Sequence, residues 1–184
     1  IWTRNIKGRR NISFSVVRYG NVMMSRGSVI PYFVQNKNKE YLNITDSRMT
    51  RFNITLDESV EFVLWVLANS SGGEIFVPKI PSYRLSDLVE VIGSGCKIED
   101  IGIRSGEKIH EEMISLSEGC NTIDLGKYYS IIPSFSKYSV DECIIKYGGK
   151  KVKNKFSYNS SENGDYLSVQ QIKNLIKNHK TWLW

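Results

Sequence analysis

The chain reads as an α/β protein, and three observations predict it. Short apolar segments rich in β-branched and aromatic residues alternate with longer stretches whose apolar residues recur every three to four positions. Gly, Ser and Asn cluster between the two kinds of segment, where turns belong. A length of 184 residues with 41% hydrophobic content suits one ordinary domain. No apolar run approaches the roughly 20 residues that cross a bilayer, so no membrane partner is expected.

Taken in order, residues 13–17 predict a buried strand through Phe14, Val16 and Val17. It runs through Arg18, Tyr19, Gly20, Asn21 and Val22 into the turn Ser25-Arg26-Gly27-Ser28. Permissive glycines beside Ser and Arg donors suit phosphate or sugar oxygens, so the stretch reads as the end of a nucleotide-binding sheet. Nothing before it supplies the rest of such a sheet. A short helix over Val29–Gln35 follows, with Pro31 tolerable in its first turn. Lys37–Glu40 is a polar turn and Tyr41–Ile44 a short strand.

Leu56 opens the clearest helix, Asp57–Ala68, in which Val60, Phe62, Val63, Trp65, Val66 and Leu67 cover most of the circumference and predict extensive burial. Ser70-Ser71-Gly72-Gly73 ends it, and Glu74–Pro78 reads as another buried strand. Ser82 or Ser86 is placed to cap a helix carrying Leu85, Leu88, Val89, Val91 and Ile92. Gly93-Ser94-Gly95 is its stop, since it lacks the third glycine of a dinucleotide-binding turn and closes a helix. Lys97–Ile101 predicts a strand, Gly102–Gly106 a turn, and Glu107–Leu116 a helix with Ile109, Met113 and Ile114 inward. From Glu118 the chain reads as irregular until Ser168 caps an amphipathic helix with Val169, Ile172, Leu175 and Ile176 inward.

The formal charge of +6 comes from 25 basic against 19 acidic residues. Much of the excess sits in Arg4, Lys7, Arg9 and Arg10 and in Lys150, Lys151, Lys153 and Lys155. No zinc spacing, RNA-binding aromatic pair or helix-turn-helix pattern accompanies these clusters, so they read as solvated surface and no nucleic-acid partner is assigned. Cys96, Cys120 and Cys143 form no CxxC pair and leave one over, as in a reducing compartment, and predict a cytoplasmic protein. The start, Ile1-Trp2-Thr3-Arg4-Asn5, has no initiating Met and no apolar signal core, which predicts a trimmed chain or a fragment.

Four arginines, Arg18, Arg26, Arg51 and Arg104, each end a predicted element beside Gly, Ser or Thr, where a diphosphate needs fixed cations. Surface ion pairing accounts for any one of them equally well. In Gly102-Ile103-Arg104-Ser105-Gly106-Glu107-Lys108 a cation, a flexible turn and a carboxylate can grip phosphate and a ribose hydroxyl. The same pattern also reads as a helix start, with Ser105 as cap. Glu107, His110 and Glu111 lack the second histidine of a zinc-protease helix, and with only His110 and His179 in the chain no metal site is assigned. Tyr147 and Lys151 have the Tyr-x-x-x-Lys spacing of dehydrogenases, but Gly148-Gly149 between them opposes the helix that would align them.

Several blocks together resemble one family. They are Phe14–Asn21 with Ser25–Pro31, Ile44-Thr45-Asp46 with Met49-Thr50-Arg51-Phe52 and Ile54-Thr55, Glu74–Pro81, and Arg104 with Gly106-Glu107-Lys108 and His110-Glu111. The chain is similar to inverting UDP-N-acetylglucosamine 4,6-dehydratases and related capsular and polysaccharide-biosynthesis proteins of the extended short-chain dehydrogenase/reductase superfamily. The resemblance reaches Tyr158-Asn159-Ser160 and Leu167-Ser168-Val169 near the end.

It implies the C-terminal part of an NAD(P)-binding Rossmann-like extended fold, comprising late sheet strands and the smaller substrate-binding region. Residues 1–35 would hold a late strand and the substrate loop. Residues 36–155 would form the sugar-nucleotide-binding region with one interleaved Rossmann strand and helix, and 156–184 a tail with an amphipathic helix. In such enzymes bound NADP or NAD oxidises the sugar at C4, water leaves across C5 and C6, and the hydride returns to C6 with inversion at C5.

By the same resemblance Tyr19, Gly20, Asn21 and Val22 would lie near the nicotinamide. Asn21, Ser25, Arg26, Gly27 and Ser28 would face the UDP-sugar, Arg51 and Arg104 would neutralise its diphosphate, and Glu107 would hold a ribose hydroxyl. Met24 stands where the family has Gly and is expected to narrow the pocket, and Ser105 replaces a Pro. No catalytic residue is assigned, because the glycine fingerprint and the Tyr-x-x-x-Lys helix are expected in a preceding Rossmann portion, in cis or as a separate chain. The complete enzyme would be a homo-oligomer. UDP-sugar C4 or C5 epimerisation, or a non-catalytic sugar-nucleotide-binding remnant of a split gene, remain alternatives on the same scaffold.

Overall fold

The computed structural model describes residues 12–93, 95–134 and 139–178. The basic cluster of Arg4, Lys7, Arg9 and Arg10, the start at Ile1–Asn5, Ser94 of the helix stop, and His179 lie outside them. In chain order the elements begin with β1 (Val16–Val17), β2 (Asn21–Val22), α1 (Val29–Asn36), β3 (Tyr41–Ile44), β4 (Thr50–Ile54) and α2 (Leu56–Asn69). There follow β5 (Ile75–Pro78), β6 (Ser82–Arg84), α3 (Leu85–Ile92), β7 (Lys97–Asp100), β8 (Glu112–Ile114) and α4 (Leu116–Gly119). The last are β9 (Thr122–Asp124), β10 (Tyr128–Ile131), α5 (Val140–Tyr147), β11 (Lys150–Lys151), β12 (Tyr158–Asn159) and α6 (Val169–Asn178). The α/β class read from the sequence holds. These elements sort into two compact units built from interleaved segments.

The described residues within Ile1–Tyr19, Asp57–Lys79 and Glu112–Tyr158 form the first unit. Its sheet has the order β1-β5-β10-β9-β11, with β1 and β5 parallel and the remaining pairs antiparallel. Helix α2 lays Ser59, Phe62 and Val66 on it, one stripe at helical spacing. The Phe62 and Trp65 rings meet Tyr128 at 5.0 and 4.5 Å, and Trp65 meets Phe76 edge-on at 5.7 Å. The predicted burial around most of this helix is corrected, because only one face can touch one sheet. Val60, Val63, Leu64 and Leu67 are exposed, Leu67 by 76%. Among the described residues the predicted buried strand at 13–17 is likewise a two-residue strand paired with β5 alone, leaving Phe14 and Val16 about two-fifths exposed.

Beyond Glu118 the structure departs from the irregular chain predicted. Strands β9 and β10 and helix α5 lie there, and Cys143 of α5 packs on Ile123 and Ile132. These strands have three or four residues each and interleave Thr, Asp and Ser with apolar residues, too short a pattern to stand out. Gly148, at φ 69°, ends α5 in the left-handed cap that glycine accommodates. It therefore separates Tyr147 from Lys151 as the sequence indicated. The Tyr147 hydroxyl instead donates to Glu74 Oε1 at 2.7 Å and to Ser71 at 2.9 Å as alternative acceptors. The charge cluster after it is solvated, with Lys151 paired to Asp141 at 2.8 Å.

The described residues within Gly20–Leu56, Ile80–Glu111 and Asn159–Trp184 form the second unit. Strand β4 is central to its three-stranded sheet, parallel to β2 and antiparallel to β6, while β3 and β7 make a separate parallel pair. Helices α1, α3 and α6 close over one core through Ile30, Phe33, Leu88, Val89, Ile172 and Ile176, joined by Leu42, Ile44 and Met49. Ser168 caps α6 as predicted, accepting from Gln171 N while Gln171 Oε1 accepts from Ser168 N, a reciprocal pair.

Helix α3 has no such cap. Its N-cap is Arg84, Ser86 lies inside the helix, and Ser82 sits fully buried in β6, where its Oγ accepts from Asn163 Nδ2 at 3.0 Å. Gly93 N–H donating to Val89 O at 2.7 Å confirms the helix stop. The predicted helix Glu107–Leu116 is a loop followed by β8. Gly106, at φ 86°, turns the chain away from helical geometry just before it. Among the described residues no helix is long and apolar enough to cross a membrane.

Glu74 is buried at the mouth of the 70–74 turn. It accepts from Ser15 Oγ at 3.0 Å, from the N–H groups of Ser71 and Gly72 at 3.2 and 2.8 Å, and from Tyr147. Burial pushes its carboxyl up, but these hydrogen bonds, that of Tyr147 foremost, outweigh burial and hold it below the ordinary 4.5. A carboxylate lowered on folding stabilises the folded state above its unfolded value and loses that contribution as pH falls through the folded one. Glu74→Gln is therefore expected to cost about 1–3 kcal/mol at neutral pH. It should also flatten the loss of thermal stability as pH falls below the ordinary 4.5. Melting curves across that range check both.

Candidate functional site

The predicted site residues gather mostly in the second unit, around β2 and β4. The pairing register sets Asn21 beside Asn53 and Val22 beside Ile54. Gly20 passes so close to β4 that an added Cβ would collide with the Phe52 side chain. The glycine therefore has a packing reason to be there. Ser25, Arg26, Gly27 and Ser28 form the turn into α1, with Ser28 N–H donating to Ser25 O at 3.1 Å. Ser28 is the N-cap of α1, although its hydroxyl caps nothing and is buried without a partner among the described residues. Tyr19 belongs to the first unit, where its ring meets Phe62 edge-on at 6.4 Å.

Met24 adopts φ 62°, a left-handed conformation that an ordinary side chain pays about 1–2 kcal/mol to hold. That strain explains on backbone grounds why glycine suits this position. The side chain does not stand free in a pocket. It is buried at 6% exposure in the core with Met23, Ile30 and Phe33. The expectation that it narrows a pocket is corrected accordingly.

The four arginines divide into two pairs. Arg18, in the first unit, forks onto Glu118 at 3.0 and 3.1 Å and donates to Met113 O at 2.6 Å. Arg51 Nη1 donates to Thr50 O and Ile109 O at 2.8 and 2.9 Å, and its Nε lies 3.8 Å from Glu111. Both guanidiniums are built into the fold. The side chains of Arg26 and Arg104 are exposed and their guanidiniums meet no partner among the described residues. Arg104 sits in a loop closed from both sides, since its N–H donates to Glu107 Oε2 at 3.1 Å and Glu107 N–H donates to Arg104 O at 3.0 Å. Gly102 and Gly106, both at positive φ, permit that closure, so Ser105 caps no helix.

Residues to which no binding role was assigned from the sequence hold this loop to the sheet. Ser160 Oγ donates to Thr50 O at 3.1 Å and accepts from Glu111 N–H at 2.9 Å. Its one proton is thereby used, so in its 2.7 Å contact with Thr50 Oγ1 it accepts. Thr50 Oγ1 in turn accepts from His110 Nδ1 at 2.8 Å, which fixes the ring tautomer with the proton on Nδ1. Glu111 accepts from Phe52 N–H at 2.9 Å. The Asn21 amide pairs donor with acceptor in one orientation, with Nδ2 at 2.6 Å from Glu111 Oε1 and 3.2 Å from Oε2. Burial raises the Glu111 carboxyl above its ordinary value, against the opposing pull of Phe52 N–H and Arg51. Burial, with Glu111 adding to it, likewise raises the Tyr83 phenol. The adjacent His110-Glu111 pair after a glycine turn was the available signal, read from sequence as a helix face.

Comparison with known proteins bears on this site. Residues 1–133 match the family described as polysaccharide biosynthesis protein. The chain belongs to that family. It is 44% identical over 184 residues to a protein of Campylobacter jejuni (strain 81-176) named UDP-N-acetylglucosamine 4,6-dehydratase (inverting), covering 95% of this chain and 54% of that protein. It is 40% identical over 173 residues to a Rickettsia felis protein named UDP-glucose 4-epimerase, covering 89% and 49%. The X-ray structure of Pen from Bacillus thuringiensis superposes with a TM-score of 0.76 at 34% identity, covering 91% of this chain and 51% of Pen. The chain thus spans about half the length of the curated relatives it matches.

The Met24 conflict between strain and packing has a predictable outcome. Met24→Gly relieves about 1–2 kcal/mol of left-handed strain. It removes a buried side chain whose truncation costs about 2–5 kcal/mol. The variant should be less stable by about 2 kcal/mol at the middle of these ranges and by up to about 4, and urea denaturation checks the sign.

Proposed function

We propose that this chain supplies the sugar-nucleotide-binding portion of a C5-inverting UDP-N-acetylglucosamine 4,6-dehydratase acting in nucleotide-sugar and surface-polysaccharide synthesis. The observation that carries this reading is the exposed guanidinium of Arg104, without a partner among the described residues, in a loop closed by Glu107, on a chain 44% identical to a protein of that name. The exposed guanidinium is a fixed cation for a diphosphate. Glu107 spends Oε2 on its own loop, which leaves Oε1 to accept from a ribose hydroxyl. Arg51 cannot offer Nη1, which two carbonyls already occupy, so it contributes positive charge close to the sheet. Arg26 is a second exposed cation at the turn from Ser25 to Ser28, and Asn21 is exposed at the end of β2.

The cofactor assigned is NADP or NAD, with Tyr19, Gly20, Asn21 and Val22 toward its nicotinamide end. The fit is one of backbone: Gly20 carries β2 tightly against Phe52, and Asn21 beyond it is exposed. When bound, the dinucleotide accepts and returns the hydride of such chemistry. This chain's residues bind and orient the sugar nucleotide. No acid–base residue is assigned to it, and Tyr147 is already hydrogen-bonded within the fold. The preceding Rossmann portion, in cis or as a second polypeptide, is the partner that this reading requires. Epimerisation of a UDP-sugar is the second reading, favoured by the 40% identity to the Rickettsia felis protein.

Calorimetric titration of the purified chain with UDP-N-acetylglucosamine tests the assignment. Weak binding is expected, and Arg104→Ala should weaken it by about 1.5–3 kcal/mol, roughly ten- to 150-fold. Binding unchanged by that substitution would rule out the diphosphate role of Arg104.

A further inference from the structure

We propose that Glu111 is a positioning residue that holds the Asn21 amide by its nitrogen, so that Asn21 offers its carbonyl Oδ1, an acceptor, to the hydroxyl or N-acetyl N–H donors of a bound nucleotide sugar. The proposal rests on the reading above that the Asn21 end of β2 meets the sugar. It adds which atom of Asn21 is presented and what decides it. A phosphate oxygen is itself an acceptor and finds no hydrogen-bonding partner in Oδ1, so this contact selects for the sugar over the diphosphate.

The carboxylate is the fixed member of the pair. Phe52, whose N–H reaches Oε2 at 2.9 Å, is a fully buried residue of the central strand. The Glu111 backbone is anchored at 2.9 Å to Ser160, a fully buried residue, and Arg51 Nε lies 3.8 Å from Oε1. Asn21 is exposed, and its amide is free to follow. With Nδ2 at 2.6 and 3.2 Å from the two carboxylate oxygens, Oδ1 turns away from the carboxylate and, with two lone pairs, can accept from a ligand donor. An ionised carboxylate only accepts, so it enforces this sense as long as it carries its charge.

The same geometry dictates what a glutamine would do. In Glu111→Gln the Phe52 N–H still demands an acceptor, so Gln Oε1 turns to it and Gln Nε2 faces Asn21. The Asn21 amide must then rotate to give Oδ1 to Gln Nε2, and a donor replaces the acceptor at the ligand. Asn21→Asp alone brings two carboxylates together. In Glu111→Gln/Asn21→Asp, Gln Nε2 donates to one Asp oxygen and the other oxygen restores an acceptor where Oδ1 had been.

The test follows the Asn21 side-chain NH2 resonances of the chain by NMR and titrates each variant with UDP-N-acetylglucosamine and with UDP, which lacks the sugar. Glu111→Gln should move those resonances and weaken UDP-N-acetylglucosamine about tenfold, with UDP unchanged within about twofold. Asn21→Asp should also weaken the sugar nucleotide, and the double variant should return to within about threefold of the original. A double variant no better than the single ones, equal losses for UDP and UDP-N-acetylglucosamine, or Asn21 resonances indifferent to Glu111→Gln would each overturn the proposal. A chain that binds neither nucleotide in any form would overturn the sugar-nucleotide reading, while an amide that still responds to Glu111→Gln would uphold the positioning.

Discussion

Two small hydroxyls set the constraint on which the second unit depends. Thr50 and Ser160 are buried at 5% and 0% exposure, 110 residues apart in sequence, and together they tie β4, the loop ending at Glu111 and the segment entering α6. Each proton in the cluster has one destination, from His110 to Thr50, from Thr50 to Ser160, and from Ser160 back to the Thr50 carbonyl. A buried polar group left unpaired costs about 1–3 kcal/mol, so a partly made version of this cluster would be worse than none. The chain must bring all three segments together at once. Nearby, Tyr166 donates to Ser160 O, and Asp165 O and Leu167 N pair with the Ser82 backbone, which laces the last segment along β6.

That constraint sorts the arginines, which look alike in sequence. Arg51 emerges near the start of β4, where the Thr50 carbonyl and the Ile109 carbonyl of the anchored loop converge on it, and its side chain is 17% exposed. Arg18 sits at the end of β1 facing the Ser115–Glu118 capping box, whose carboxylate it shares. Arg104 lies past Gly102, on the part of the loop that the hydroxyl cluster does not reach, and remains in solvent. An arginine near a glycine turn is available to a ligand only where the fold has not already surrounded it with carbonyls. Contact with the rest of the chain decides that, and local composition does not report it.

Local signals were legible where they are self-contained. The Ser168 cap, the Gly93 stop, the Tyr41–Ile44 strand and the break at Gly148 all rest on interactions within four residues of each other or on one strong alternation. The failures are non-local. Glu107–Leu116 has helical spacing of Ile109, Met113 and Ile114, but the Ile109 carbonyl is taken by Arg51 and Thr50 N and the Glu111 N–H by Ser160. Those tertiary bonds remove the groups that a helix would need. In α2 the apolar residues continue around the helix, and nothing in their spacing says that Val60, Val63, Leu64 and Leu67 are left exposed. At the site, the loop glycines and the exposed cation were readable, whereas the pairing of Asn21 with Glu111 spans 90 positions and was not.

Gly20 and Met24, four residues apart, show how differently the fold treats two positions where a side chain meets an obstacle. At Gly20 the obstacle is space, because the Phe52 backbone and Cβ occupy the place of a Cβ and belong to a strand fixed on both edges. At Met24 the obstacle is backbone angle alone, a bounded cost that burial of a flexible thioether in the adjoining core can offset. The consequence reaches the site. Close approach at Gly20 sets the distance of Asn21 from β4, and hence from the Glu111 carboxylate that Phe52 holds. The strained turn at Met24 releases the chain toward Ser25 and Arg26 without loosening that distance. The proposed discrimination between a sugar hydroxyl and a phosphate oxygen needs this amide turned in a fixed sense. Backbone packing sets that sense through the Glu111 side chain.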